Sequence, residues 1–218
     1  MGQDTLYQIA SWLLPLVFAI VLHEISHGWV AYAFGDPTAK QLGRLSPNPF
    51  RHVDPVGTVA LPLVLAIAGG PIFGWARPVP VRADRLRHPR WQMMLVALAG
   101  PGMNLLLALI SALLLAVLNT ASPFLVANLA NFLVINVFLA VFNLLPMPPF
   151  DGGHVVEALL PRGLVPGYRR LARFGMPLVI FLLVILPMVD AKLNPFRFIV
   201  FPIFRWVLGF FLHVSGPI

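Results

Sequence analysis

Apolar residues in this chain come in long runs rather than at the spacing of a half-buried helix or strand. Five runs stand out: residues 6–34, 91–118, 126–146, 174–189 and 196–214. A helical crossing needs roughly 20 apolar residues, so each run is predicted to be a membrane helix. The third breaks at Pro146, Pro148 and Pro149. The last carries Pro202 and Arg205, so it either lies along the interface or packs its charge inward. A sixth stretch, residues 57–73, is short for a span and is interrupted by Pro62, Gly69, Gly70 and Pro71. The pattern predicts an all-α, polytopic integral membrane protein with about five or six membrane segments. Residues 1–218 are expected to form one membrane-embedded domain, with a core over about 6–160 and accessory helices over about 170–218. The polar stretches are too short to bury a second core.

Charge decides how residues 57–73 are read. Lys40, Arg44 and Arg51 precede them, and Arg77, Arg82, Arg85, Arg87 and Arg90 follow. A true crossing would put two basic loops on opposite sides, against the positive-inside rule. The stretch is therefore expected to be a re-entrant or partly extended hairpin between the first and second core helices, shielded by protein. An extended hairpin there could pair with a substrate strand by edge addition. With this choice twelve of the fifteen basic residues lie on the cytoplasmic side. The net charge of +7 then reports topology and anionic-lipid contact, not nucleic-acid binding.

Composition narrows the chemistry. Only 11% of residues are charged, against about 25% in a soluble domain. There is no cysteine, which excludes disulfides and thiolate metal sites and leaves six His and eight Asp/Glu as ligands. The first run is too long for a cleavable signal peptide and has Asp4 where a basic region would stand.

That run, Leu6 to Phe34, holds its ionisable His, Asp, Glu, Lys and Arg residues in one turn: His23, Glu24 and His27. Such groups are costly at membrane depth, so three together need a reason. Positions i and i+4 share a helix face, so His23 and His27 can bind one metal ion, with Glu24 beside them as a general base. A catalytic zinc site needs a third protein ligand. His52, Asp54, Asp84, Asp151, His154 and Glu157 are the candidates. His23 lies about 25 Å along its helix from Leu6, near the cytoplasmic leaflet. Asp151 follows the cytoplasmic end of the third run and is expected at a similar depth, although it could instead cap a short helix. His52 sits in turn-forming sequence and reads as structural, and His154 reads as a surface histidine or a partner to a ligand. Asn104 and Asn143 read equally as interhelical hydrogen-bond partners or as substrate contacts.

The HEISH turn and the later segment NLLPMPPFDGG resemble the paired signatures of site-2 proteases, the intramembrane zinc metalloproteases. The segment AGPGMN resembles the family's small-residue motif, with Asn104 at its polar position. The resemblance implies Zn²⁺ held by His23, His27 and Asp151, with Asn143 holding substrate or the active-site structure. It implies transmembrane protein substrates, such as anti-sigma factors or remnant signal peptides, cleaved at a bacterial cytoplasmic membrane. It also implies a compact form, without the PDZ-like or nucleotide-sensing domains of larger members. Two rivals remain: a non-catalytic protein of the same fold, and a metal or proton transporter. The intact Glu24 speaks against the first. Against the second, residues 91–118 and 126–146 carry no ionisable group along a path. The sequence leaves the oligomeric state undetermined.

Overall fold

A computed structural model describes residues 2–67, 75–118, 122–190, 192 and 194–216. The long helices are α1 (Gly2–Ala33), which is followed by two short ones, α2 (Thr38–Gln41) and α3 (Leu61–Ile67), and then α4 (Pro89–Leu118) and α5 (Pro123–Asn143). After them come α6 (Asp151–Leu159), α7 (Val165–Ala172), α8 (Gly175–Ile180), α9 (Leu186–Val189) and α10 (Pro195–Ser215). No strand occurs among the described residues. Four helices are long and apolar enough to cross a membrane: Ala10–Ala33 within α1, α4, α5 and α10. A fifth span arises if α7 and the segment Gly175–Val189, bent by 56°, count as one. The protein is a multi-pass membrane protein.

Close packing of α1, α4 and α5 rests on small residues. Ala19, Ala31, Ala108, Ala112 and Ala140 are fully buried, and Ala97 nearly so. Lipid is as apolar as leucine, so helices gain by letting backbones approach rather than by hiding leucines. Many large apolar side chains face outward instead, including Trp12, Phe18, Leu113, Val117 and Trp206. α10 closes the bundle: Val200 and Phe211 pack onto Ala108, Leu133 and Val137. Its Arg205 is exposed, with the guanidinium 5.8 Å from the Phe201 ring, so the charge is not packed inward.

Helix ends follow proline chemistry. α4 begins two residues before the expected start because Pro89 occupies a first-turn position, where its missing N–H costs nothing. α5 ends at Asn143 rather than at residue 146, since Pro146 disfavours helical backbone at Leu145.

Of the expected re-entrant or partly extended hairpin, the extended alternative is corrected over residues 57–67. Pro55–Ala60 winds as a π-turn that runs into α3. Residues 68–73 lie outside the described residues. Asp54 accepts the Val56 and Gly57 N–H groups at 3.0 and 2.7 Å, with Pro55 following it. Asp-Pro is a helix-start signal, and helical turns consume the backbone groups that edge addition would need. Residues 57–67 therefore offer no strand edge.

Residues 75–82 carry neither helix nor strand and form a strap that ends in extended backbone at Arg82. Pro78 and Pro80 disfavour helix there by fixing φ and restraining the residue before each. The Arg44 guanidinium, itself buried, donates to the carbonyls of Arg51, Arg77 and Pro78. The Arg77 N–H donates to His52 O at 2.8 Å. At the far end, fully buried Asp36 accepts the Arg82 N–H at 2.6 Å, the Thr38 N–H at 3.0 Å and the Thr38 hydroxyl.

Burial would raise the Asp36 pKa, but these donors and the Arg85 charge override it and hold the carboxyl below its ordinary value. The clamp therefore stabilises the fold above the unfolded carboxyl pKa of about 3.9 and is lost as pH falls through the lower folded value. Asp36→Asn should cost about 1–3 kcal/mol at neutral pH. The difference in thermal midpoint between wild type and variant should shrink as the solution is acidified. A midpoint gap that stays constant down to pH 2 would assign the clamp to neutral hydrogen bonding alone.

Candidate metal centre

His23 and His27 lie one turn apart on α1, and their Nε2 atoms are 3.1 Å from each other. Asp151, the first residue of α6, brings Oδ2 to 3.2 Å from His23 Nε2 and Oδ1 to 3.4 Å from His27 Nε2. Donors bound to one tetrahedral zinc at about 2.1 Å lie roughly 3.4 Å apart, so this spacing fits that ion. Asp151 Oδ2 is buried and receives no hydrogen bond, as expected of an oxygen whose partner is a cation.

The outer nitrogens set the tautomers. His27 Nδ1 lies 2.7 Å from the Val96 carbonyl, and His23 Nδ1 lies 2.5 Å from Asn104 Oδ1. Both partners only accept, so each Nδ1 carries the hydrogen and each Nε2 turns a lone pair inward. The Asn104 amide cannot flip without loss: its Nδ2 donates to Asn136 Oδ1 at 2.7 Å and to Ala19 O at 3.4 Å. Asn136 is held in turn by Phe132 O at 2.8 Å. Both asparagines are fully buried. Asn104 thus ties α4 to α1 and α5 by hydrogen bonds and orients His23, and Asn136 is a contributor the sequence reading missed.

Close approach makes room for the cluster. A Cβ on Gly100 would stand 2.5 Å from His27 Nε2 and 2.6 Å from His23 Nε2, so only glycine leaves the donors space. At Gly152 a Cβ would strike the carbonyls of Leu144 and Leu145, which sit over the start of α6. Tyr168 of α7 adds a hydrogen bond to Gly153 O at 3.0 Å. The proline-broken run before Asp151 folds back on these glycines and drops the carboxylate between the imidazoles.

Glu24 points into a cavity of about 590 Å³ that also reaches His23, His27 and Asp151. Its Oε2 accepts the Val79 N–H of the strap at 2.8 Å. Val79 stands between Pro78 and Pro80, so this is the one backbone N–H of that tripeptide. Nothing in the apolar periodicity pointed to the strap. The repeat Pro78-Val79-Pro80-Val81 is the signal that could have.

The other predicted positions lie apart from the donors. Asn143 lines the cavity with its amide bonded to Leu139 O at 3.0 Å, and His154 lines it too. His52 is structural: it is buried, with Nε2 2.9 Å from Ser46 O. Asp54 caps a helix, exposed Asp84 pairs with Arg82, and Glu157 pairs with Arg169. Among the described residues, His23, His27 and Asp151 form the group able to share a metal ion.

A buried two-histidine, one-carboxylate cluster with an adjacent glutamate, set in membrane helices, defines a membrane-embedded metallopeptidase. Residues 11–129 and 119–186 match the peptidase family M50. A Bacillus subtilis protein, YwhC, is 40% identical over 159 residues, covering 69% of each chain. Rip2 of Mycolicibacterium smegmatis is 32% identical over 181 residues, which is 81% of this chain and 66% of that one. MJ0611 of Methanocaldococcus jannaschii is 42% identical over 62 residues, 28% of this chain and 32% of that one. All three carry the name "Putative zinc metalloprotease". The chain thus spans about two thirds of the length of the first two. No solved structure matches it. The chain belongs to peptidase family M50, the site-2 protease family, and is a zinc metalloprotease of the membrane.

Proposed function

We propose that this protease hydrolyses peptide bonds within or next to transmembrane segments of membrane-anchored proteins. The supporting observation is the convergence of His23, His27 and Asp151 beside Glu24 on one cavity inside a membrane bundle. In this reading the two imidazoles and the carboxylate hold Zn²⁺, which when bound supplies a Lewis acid and a more acidic water. Glu24 accepts the proton of the attacking water and passes it to the leaving amine. Its Oε2 is oriented by the Val79 N–H, which leaves Oε1 for that proton. Asn104 and Val96 O keep both ligand histidines in the Nδ1–H form through the cycle. Asn143, on the cavity wall, contacts substrate backbone when one enters.

The substrates are membrane-anchored regulators such as anti-sigma factors, or remnant signal peptides. The bacterial cytoplasmic membrane is the site of action, with the centre toward the cytoplasmic leaflet, as the basic loops imply. Reconstituted enzyme should cut a membrane-anchored peptide at bonds in or beside its apolar segment, mapped by mass spectrometry. Cleavage of soluble peptides alone would overturn the reading. Reporter fusions after Gly163 and after Ser122 should face the cytoplasm and the outside, respectively, and the reverse pattern would move the centre to the other leaflet.

A further inference from the structure

A second cavity, of about 290 Å³, lies beside the first and is lined by Arg90, Arg162, Arg169, Glu157, His154 and Met93, among others. Three guanidinium groups face one carboxylate, which leaves two positive charges unbalanced. Arg90 is anchored, its Nε donating to Ala158 O at 2.7 Å and its Nη2 to Leu160 O. That uses two of its five N–H donors. Arg169 spends Nε and Nη2 on a single oxygen, Glu157 Oε1, at 2.8 and 2.6 Å. Arg162 makes no hydrogen bond or ion pair among the described residues and is exposed. Guanidinium forks with free donors around a cavity match the non-bridging oxygens of a phosphodiester.

The surroundings select a lipid. α4 has 30 residues, so at 1.5 Å per residue it outruns a hydrocarbon core of about 30 Å. Its first turn, with Arg90 and Trp91, therefore stands at headgroup height, and Trp91 is half exposed there with its ring 5.8 Å from the Arg90 guanidinium carbon. On and beside α7 the exposed apolar side chains Leu164, Leu171 and Phe174 alternate with Arg169, Arg170 and Arg173. An exposed apolar face next to arginines suits acyl chains, and a soluble anion has no use for it.

We propose that this pocket binds the phosphate-bearing headgroup of an anionic phospholipid. The ligand lies one wall from the catalytic cavity, because Met93 and His154 line both. It also lies where Arg90 ties down the end of α6 opposite Asp151. Its occupant would thus complete the support of the helix that carries that carboxylate.

The test is binding to purified full-length protein in detergent, followed by native mass spectrometry with phosphatidylglycerol or phosphatidylcholine added. Wild type should retain phosphatidylglycerol preferentially, one molecule per chain. Arg162→Gln and Arg169→Gln should each weaken this by about fivefold, and by more together, while Arg173→Gln outside the pocket should not. Monodisperse elution of each variant controls for folding. Equal losses in the Arg173 variant would reduce the effect to diffuse surface charge and overturn the proposal. Displacement of the lipid by millimolar inorganic phosphate would reassign the pocket to a soluble anion, and displacement by an acidic peptide would reassign it to substrate.

Discussion

Glu24→Gln should keep its zinc and lose cleavage by roughly 10²- to 10⁴-fold, the range that a general base contributes. The amide has the shape of the carboxylate and still offers an oxygen to the Val79 N–H, so the strap stays where it is. It cannot take a proton from water at neutral pH. The three atoms proposed to bind zinc lie on His23, His27 and Asp151 and are untouched. Zinc per chain and turnover of a membrane-anchored peptide should therefore separate in this variant. Zinc lost together with activity would show that Glu24 supports the metal. Full turnover would remove Glu24 from the mechanism.

Gly100→Ala is expected to weaken zinc binding by about 100-fold without unfolding the bundle. An added methyl would fall 2.5 Å from His27 Nε2 and 2.6 Å from His23 Nε2, inside the space the donors share. The imidazoles cannot retreat freely, because Asn104 Oδ1 and Val96 O hold their other nitrogens. Disturbing the groups around a metal ligand typically costs 10- to 100-fold in affinity, and a direct clash should reach the upper end. Helix propensity pulls the other way, favouring alanine by about 1 kcal/mol in a helix interior. Gly102→Ala on the same helix meets nothing within 4 Å and serves as the matched control. Zinc titration should show the Gly100 variant weakened and the Gly102 variant unchanged. Equal affinity in both would mean that the centre relaxes around the methyl.

The two variants probe features of very different legibility. Glu24 is readable from a single turn of sequence, because helical periodicity alone puts it next to two histidines at i and i+4. Gly100 was visible only as part of a small-residue motif. Its job depends on which face of α4 meets α1, and three-dimensional packing decides that. The same holds for Asn136, an apparently ordinary polar residue of α5 until its amide is seen to lock Asn104.

At residues 57–67 the extended alternative of the sequence reading failed. Charge and proline content argued for a re-entrant or partly extended hairpin there. Capping by Asp54, with Pro55 after it, starts helical turns there, and a segment without helix or strand lies farther on, at residues 75–82.

By itself the sequence determined the membrane class, the helix count to within one or two, the histidine-glutamate turn and, through its resemblance, the aspartate proposed to complete the site. Those features rest on local rules: the length of an apolar run, helical spacing, and a proline-broken motif in fixed order. The tertiary structure decided what has no local signature. It set the tautomers of His23 and His27 through partners 81 and 69 residues away, and the glycine that clears space for the cluster. It also set the strap N–H on Glu24, from 55 residues away. Each of these depends on groups distant in the chain meeting at hydrogen-bond or contact range, and helix packing supplies that information where periodicity cannot.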